Sequence, residues 1–217
     1  MQLTPSGLQD SASPAEMARL RESFAKHQAI LLPGFVSPAL LAVIERLLPT
    51  AEFRPRVENG VELEMKLENG LLHHTLMFGL NEPRTFAWAR AVTGCGPVGC
   101  FYGRVFFRQR VDGSGHHYPW HDDLANGRMI GLSINLSRVP FSGGVFQLRE
   151  KASQRMLLEH ANTGYGDAML FRVEPDLEHH VTRVTSDTPR LTFVGWFHDH
   201  SQPYTALTPG LPQLPPV

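Results

Sequence analysis

Two short stretches carry residue types that can bind a metal ion and support redox chemistry. Trp120-His121-Asp122-Asp123 holds one histidine and two carboxylates; Glu178-His179-His180-Val181 holds two adjacent histidines, with Arg190 beyond them. On a strand, alternate side chains point the same way. His121 and Asp123 would then face one side and Asp122 the other. His179 or His180, not both, would add a third donor from a second strand. Two imidazoles and one carboxylate gripping one face of an ion leave its other face open, a ligand set suited to non-haem Fe(II) and its reactions with oxygen. Arg190 would hold an anionic cosubstrate, since a planar guanidinium grips a carboxylate with two parallel hydrogen bonds. A lone H-x-D triplet is common; the weight lies in the order and spacing of all the parts.

The elements that must position these residues divide the chain in two. Ser13-Pro14 opens a helix running through Phe24, and Ser37-Pro38 opens a second through Leu48, each with a capping side chain ahead of a proline. A short buried strand, Ala29–Leu32, lies between them. Asn81 to Thr93 reads as a third helix. Asn59-Gly60 and Asn69-Gly70 are tight-turn signals bracketing an alternating strand, Val61–Leu67. The 55–75 segment is therefore expected to be either a lid over the site or a simple edge hairpin. From Phe101 onward short strands follow one another, at 101–111, 116–123, 129–136, 144–149, 167–173, 179–185 and 190–198, the rhythm of a barrel or jelly roll. In Met129–Leu136 one face is Ile130, Leu132, Ile134 and Leu136; the other is Gly131, Ser133 and Asn135, small and polar enough to line a pocket. Arg104, Arg108 and Arg110 share one strand face and are candidates for contact with an acidic substrate.

Composition sets the outer bounds. The 217 residues suffice for one domain with a sizeable core. The expected layout is a single domain over 1–217, with 1–100 as helical support and possible lid, 101–198 as catalytic core and 199–217 as a Pro-rich tail. A formal net charge of -1 argues against a strongly basic nucleic-acid surface. No apolar run approaches the roughly 20 residues of a membrane span. Met1 to Asp10 lacks the basic start and apolar run of a secretory signal, so a cytoplasmic location is expected. Cys95 and Cys100 read as ordinary reduced thiols, with no Cys or His pair at zinc-finger spacing.

The motifs in order resemble the Fe(II)/2-oxoglutarate-dependent dioxygenases, in particular their prolyl-4-hydroxylase-like branch. Gly115, Tyr118, His121 and Asp123 match its first motif, and Gly143-Gly144-Val145-Phe146-Gln147-Leu148 its Gly-Gly strand. Gly166-Asp167-Ala168-Met169-Leu170-Phe171 matches the next strand, and His179-His180-Val181-Thr182-Arg183-Val184 the distal H-x-V-x-x-V motif. Arg190 with Trp196-Phe197 completes the series. The chain departs from the pattern in having Val111 and Asp112 where a tyrosine is frequent, Arg183 where a proline is usual, and Asn135 where many relatives use a tyrosine.

The resemblance implies a mainly β fold with flanking helices, a double-stranded β-helix (jelly roll) buttressed by N-terminal α-helices. It implies Fe(II) on His121, Asp123 and His179, which selects His179 over His180. It implies 2-oxoglutarate as cosubstrate, held by Arg190 with Asn135, Tyr118 and Thr192, together with O2 and ascorbate as a reductant. The implied reaction hydroxylates an amino acid, peptide or small metabolite and releases succinate and CO2. No nucleic acid or membrane partner is expected. Retention of Asp123 argues against a halogenase, in which a small residue replaces the carboxylate. Two other classes stay in view: a cupin-like metalloenzyme that uses no 2-oxoglutarate, and a non-catalytic jelly-roll binding module. Neither needs Arg190.

Overall fold

The computed structural model describes residues 1–9, 11–56, 64–68, 70–110 and 119–200. In chain order its elements are β1 (Gln2–Thr4), β2 (Gly7–Gln9), α1 (Pro14–His27), β3 (Ala29–Leu32), α2 (Pro38–Leu47), β4 (Phe53–Arg56), β5 (Glu64–Leu67), α3 (Leu71–Leu80) and α4 (Pro83–Thr93). The strands β6 (Cys100–Arg108), β7 (Arg128–Asn135), β8 (Phe146–Glu150), β9 (Met156–His160), β10 (Ala168–Arg172), β11 (Leu177–Val181) and β12 (Arg190–His198) follow.

Local chemistry explains the helix starts. α1, α2 and α4 each begin at a proline, whose missing N–H is no loss in a first turn. Ser13 caps α1 reciprocally with Glu16: its Oγ accepts from the Glu16 amide and its own amide donates to the Glu16 carboxylate. Ser37 Oγ accepts from the Leu40 amide at 3.2 Å. α4 begins at Pro83, because Asn81 has another task. Its amide nitrogen donates to the Met77 and Phe101 carbonyls while its oxygen accepts from the Phe101 amide, tying the end of α3 to β6.

Two antiparallel sheets build the jelly-roll core. The larger has the order β3-β10-β7-β12-β6-β5-β4, and the smaller β11-β8-β9. Ile130, Leu132 and Ile134 on β7, with Leu136 just beyond it, are buried in the main core, which also takes in Phe24, Leu76 and Trp88 from the helices. The opposite face looks toward the smaller sheet. There Phe146, Leu148, Met169, Phe171 and Leu177 form a second core between the sheets. The helices therefore buttress the outer face of the large sheet, and the inter-sheet space is left for a site.

Several expectations change. The segment expected as a strand at 116–123 is described only from 119, and there only His121 pairs with another strand residue, His179. β4 and β5 form a hairpin that extends the large sheet beside β6. The Asn59-Gly60 turn and Asn69 lie outside the described residues, as does Tyr118. α3, β9 and the β1–β2 hairpin have no counterpart in the sequence reading.

Candidate metal centre

The structure brings His121, Asp123 and His179 together, with one donor atom from each lying within 4.8 Å of the others. Each residue arrives by a different route. His121 and His179 exchange both backbone hydrogen bonds across the sheet edge, 3.0 Å and 2.8 Å long, which sets their rings 4.3 Å apart. His121 Nδ1 lies 2.7 Å from the Pro119 carbonyl oxygen. A carbonyl can only accept, so Nδ1 carries the proton and the Nε2 lone pair faces the site. His179 lies against the rings of Phe146 and Phe171, at 5.4 Å and 4.7 Å. The Phe171 ring fills the space that a side chain at Gly131 would take, since a Cβ there would sit 2.0 Å from it.

Asp123 is not on a strand. Its φ of +58° is left-handed, a conformation uncommon outside glycine but better tolerated by aspartate. This turn, rather than strand alternation, aims the carboxylate at the histidines. Oδ1 lies 3.6 Å from His121 Nε2 and Oδ2 lies 3.2 Å from His179 Nε2. Adjacent donors of an octahedral ion bound at about 2.1 Å stand roughly 3.0 Å apart, so small movements would seat an ion. Asp122 points elsewhere: its carboxylate accepts from Lys151 Nζ at 2.5 Å and from the Leu124 amide at 3.1 Å. His180 lies against Trp120, at 4.3 Å between rings, and beside Gln147.

The protonation states suit a metal. Burial alone would raise the Asp123 pKa, but the His179 hydrogen bond and the electropositive surroundings, Arg128 among them, outweigh it and hold the carboxyl below its ordinary range. Burial dominates at His179 and lowers it despite Asp123, so the imidazole is neutral near pH 7. A carboxylate and a neutral imidazole are the forms that coordinate.

A cavity of about 280 Å³ opens from this cluster between the sheets, with Ser133, Val194 and Trp196 on its wall and Arg190 and Arg108 further in. Arg190 is 5% exposed and, among the described residues, forms no ion pair with a carboxylate. Burial and then the neighbouring Arg108 push its pKa down to about 9. Arg108 is itself engaged by buried Glu64 at 2.8 Å, which also reaches Arg56 at 3.2 Å. Gly144 makes room for the Arg190 side chain; a Cβ there would lie 2.8 Å from Arg190 Cδ, and its φ of +62° suits glycine.

The other expected contacts divide. Thr192 Oγ1 is buried on the same strand as Arg190 and has no hydrogen-bond partner among the described residues, although Thr192 is not one of the residues lining the cavity. Asn135 is engaged by backbone: its amide donates to the Gly164 carbonyl at 2.9 Å, and its oxygen accepts from the Ser137 amide at 3.0 Å. That side chain braces two turns and does not line the cavity. Arg104 does not line it either; it stacks on Tyr102, 4.4 Å from the ring, beside buried His73. Arg110 pairs with exposed Asp187. Among the cavity residues, Arg128 and the pairing of Trp196 with Asp123 escaped the sequence reading. Counting by twos from Arg190 reaches Trp196, so the strand period carried that signal.

Residues 106–198 match the family described as the 2OG-Fe(II) oxygenase superfamily. Three solved structures are similar in fold. An oxidoreductase of the 2OG-Fe(II) oxygenase family from Burkholderia pseudomallei is 18% identical, with 90% of this chain and 96% of that one covered and a TM-score of 0.65. The non-haem alpha ketoglutarate dependent epimerase SnoN from nogalamycin biosynthesis is 18% identical over 94% of both chains, at 0.67. It has also been solved in complex with Fe3+, alpha ketoglutarate and nogalamycin RO. A Pseudomonas putida prolyl-4-hydroxylase is 18% identical over 84% of this chain and 98% of its own, at 0.61. No curated protein matches the sequence.

Proposed function

We propose that this chain, whose residues 106–198 match the family model of the 2OG-Fe(II) oxygenase superfamily, hydroxylates a small molecule or peptide at a carbon centre, using Fe(II), 2-oxoglutarate and O2. The metal would be held by His121, Asp123 and His179. The observation that carries the reading is Arg190: a buried guanidinium, without a carboxylate partner among the described residues, on the wall of the cavity that also holds the three candidate ligands. A buried charge is costly unless paired, so this one calls for an anionic ligand. A cupin-like metalloenzyme without 2-oxoglutarate, or a binding module, has no use for it.

Fe(II) and 2-oxoglutarate together supply the activation of oxygen, at the cost of turning the cosubstrate into succinate and CO2. The chain's residues do the rest. Arg190 pairs with the far carboxylate of the cosubstrate, and the unpartnered Thr192 hydroxyl donates to it. The small side chain of Ser133 leaves room between the two ends of the cavity. Phe146, Phe171 and Val194 keep that space apolar and limit access of water to the reacting centre.

A second reading follows from the likeness to SnoN, an epimerase. Hydroxylation and epimerisation both begin with loss of hydrogen from a substrate carbon and differ in what returns. The test is a screen of amino acids, peptides and metabolites for substrate-dependent succinate release under 18O2. Label in the organic product supports hydroxylation; an unlabelled stereoisomer supports epimerisation. Succinate release from no substrate, coupled or uncoupled, overturns both.

A further inference from the structure

The two histidines at the candidate metal centre are fixed by their backbones: His179 lies on β11, and His121 is bound to it by the paired hydrogen bonds across the sheet edge. Asp123 has no such support. It sits on irregular backbone with a left-handed φ, outside every strand. Something else must hold its carboxylate. Trp196 Nε1 donates to Asp123 Oδ2 at 2.9 Å. The indole is in turn gripped by Arg128, whose guanidinium carbon lies 3.8 Å from the ring centroid while Nη1 lies 3.3 Å from Asp123 Oδ1. Each carboxylate oxygen thus has one donor from outside the ligand set and one imidazole facing it.

We infer that Trp196 is a positioning residue for the metal: its indole N–H orients the Asp123 carboxylate, and Arg128 fixes the indole plane. The inference rests on the reading of His121, Asp123 and His179 as ligands. Three features converge on it. Trp196 lies at the opposite end of β12 from Arg190, on the same strand face, about 20 Å away along the strand. One strand therefore anchors both ends of the site. The ring is partly buried, and it is held between the inter-sheet core and the Arg128 cation over its face. The N–H is also the indole's single donor, so its direction sets the carboxylate plane without ambiguity.

Trp196→Phe keeps an aromatic surface for Arg128 and deletes the donor. Partners that orient metal ligands typically affect metal affinity about 10- to 100-fold. The experiment is anaerobic titration of the metal-free protein with Fe(II), and with Co(II) as a spectroscopic probe, for wild type, Trp196→Phe and His121→Ala. The expected result is a weaker affinity of that size in Trp196→Phe, with an altered Co(II) visible spectrum and a metal-free melting temperature within a few degrees of wild type. Unchanged affinity and spectrum overturn the inference. If wild type and His121→Ala bind Co(II) alike, the ligand reading itself fails, which is a distinct outcome. A measurement without substitution guards against misfolding. The 15N-labelled protein has three indole signals, from Trp88, Trp120 and Trp196, and Trp88 and Trp120 can be assigned by their own phenylalanine variants. The Trp196 N–H is expected to be protected from solvent exchange and to shift on addition of Zn(II). Fast exchange before and after the metal overturns the assignment.

Discussion

Arg190→Met removes the guanidinium while keeping a long side chain in its place. Two consequences with opposite signs follow. The first is on ligand binding. Truncating one partner of a buried, hydrogen-bonded charge pair costs about 2–5 kcal/mol, or roughly 30-fold to several thousand-fold in affinity. Fe(II) affinity should stay near wild type, because Arg190 is far along the cavity from the ligand cluster. The second is on stability. The Arg190 pKa is pushed down to about 9, well below the ordinary guanidinium range, first through burial and then through Arg108. A base whose folded pKa is depressed carries a cost of charge burial that is fully present below the folded pKa. The cost is relieved only as pH rises above about 9 toward the ordinary guanidinium range. At neutral pH the whole cost is therefore in force, and Arg190→Met should melt at or above the wild-type temperature when no ligand is present. The assay is a thermal melt with and without 2-oxoglutarate, in the presence of Mn(II) to avoid oxidation. Wild type should gain stability with ligand concentration, as mass action requires. Arg190→Met should start as high or higher and gain little. A variant that starts several degrees lower yet keeps the full ligand-induced gain would refute the assignment of Arg190 as the anion's partner.

Other perturbations separate the remaining roles. His121→Ala or Asp123→Ala should abolish turnover and Fe(II) binding while circular dichroism stays near wild type; normal activity in either refutes the ligand set. His179→Ala should be inactive and His180→Ala should keep most metal binding, since the His180 ring packs beside Trp120 and Gln147 instead. Thr192→Val should weaken 2-oxoglutarate binding about 10- to 100-fold, as for a hydrogen bond to a charged group of about 1.5–3 kcal/mol. It should not destabilise the free protein, because the buried hydroxyl has no partner to lose. Asn135→Ala should do the reverse, lowering the melting temperature through the lost Gly164 and Ser137 contacts while leaving the 2-oxoglutarate KM nearly unchanged.

The parts of this molecule that were legible in sequence share a cause. The barrel strands announce themselves by alternation: β7 and the residue after it sort Ile130, Leu132, Ile134 and Leu136 to one face, and the structure buries all four. Helices with a capping residue before proline are equally plain. α3 was not, because Gly70 offers no side-chain cap and the helix leaves Leu71 and Phe78 exposed, blurring its apolar stripe. β9 is short and half exposed, so its five residues give no period to count. At the site, pairing Asp123 with His121 by strand period reached residues that do converge, but the geometry comes from a left-handed turn that no period encodes. Asn135 shows another limit of pattern reading. It lies on the polar face of β7, yet its side chain is engaged by the nearby Ser137 amide and by the Gly164 carbonyl, the latter set by a loop far along the chain. Arg128 was invisible because its role depends on a ring from β12 stacking across the sheet.

The most direct test of the account is an anaerobic titration of the metal-free protein with Fe(II) and then 2-oxoglutarate, followed in the visible range. The account predicts a weak charge-transfer band that grows to one equivalent of each component. The band should be absent without either one, absent in His121→Ala, and reached only at far higher 2-oxoglutarate concentration in Arg190→Met. A protein that binds Fe(II) tightly but develops no band at saturating 2-oxoglutarate would contradict it.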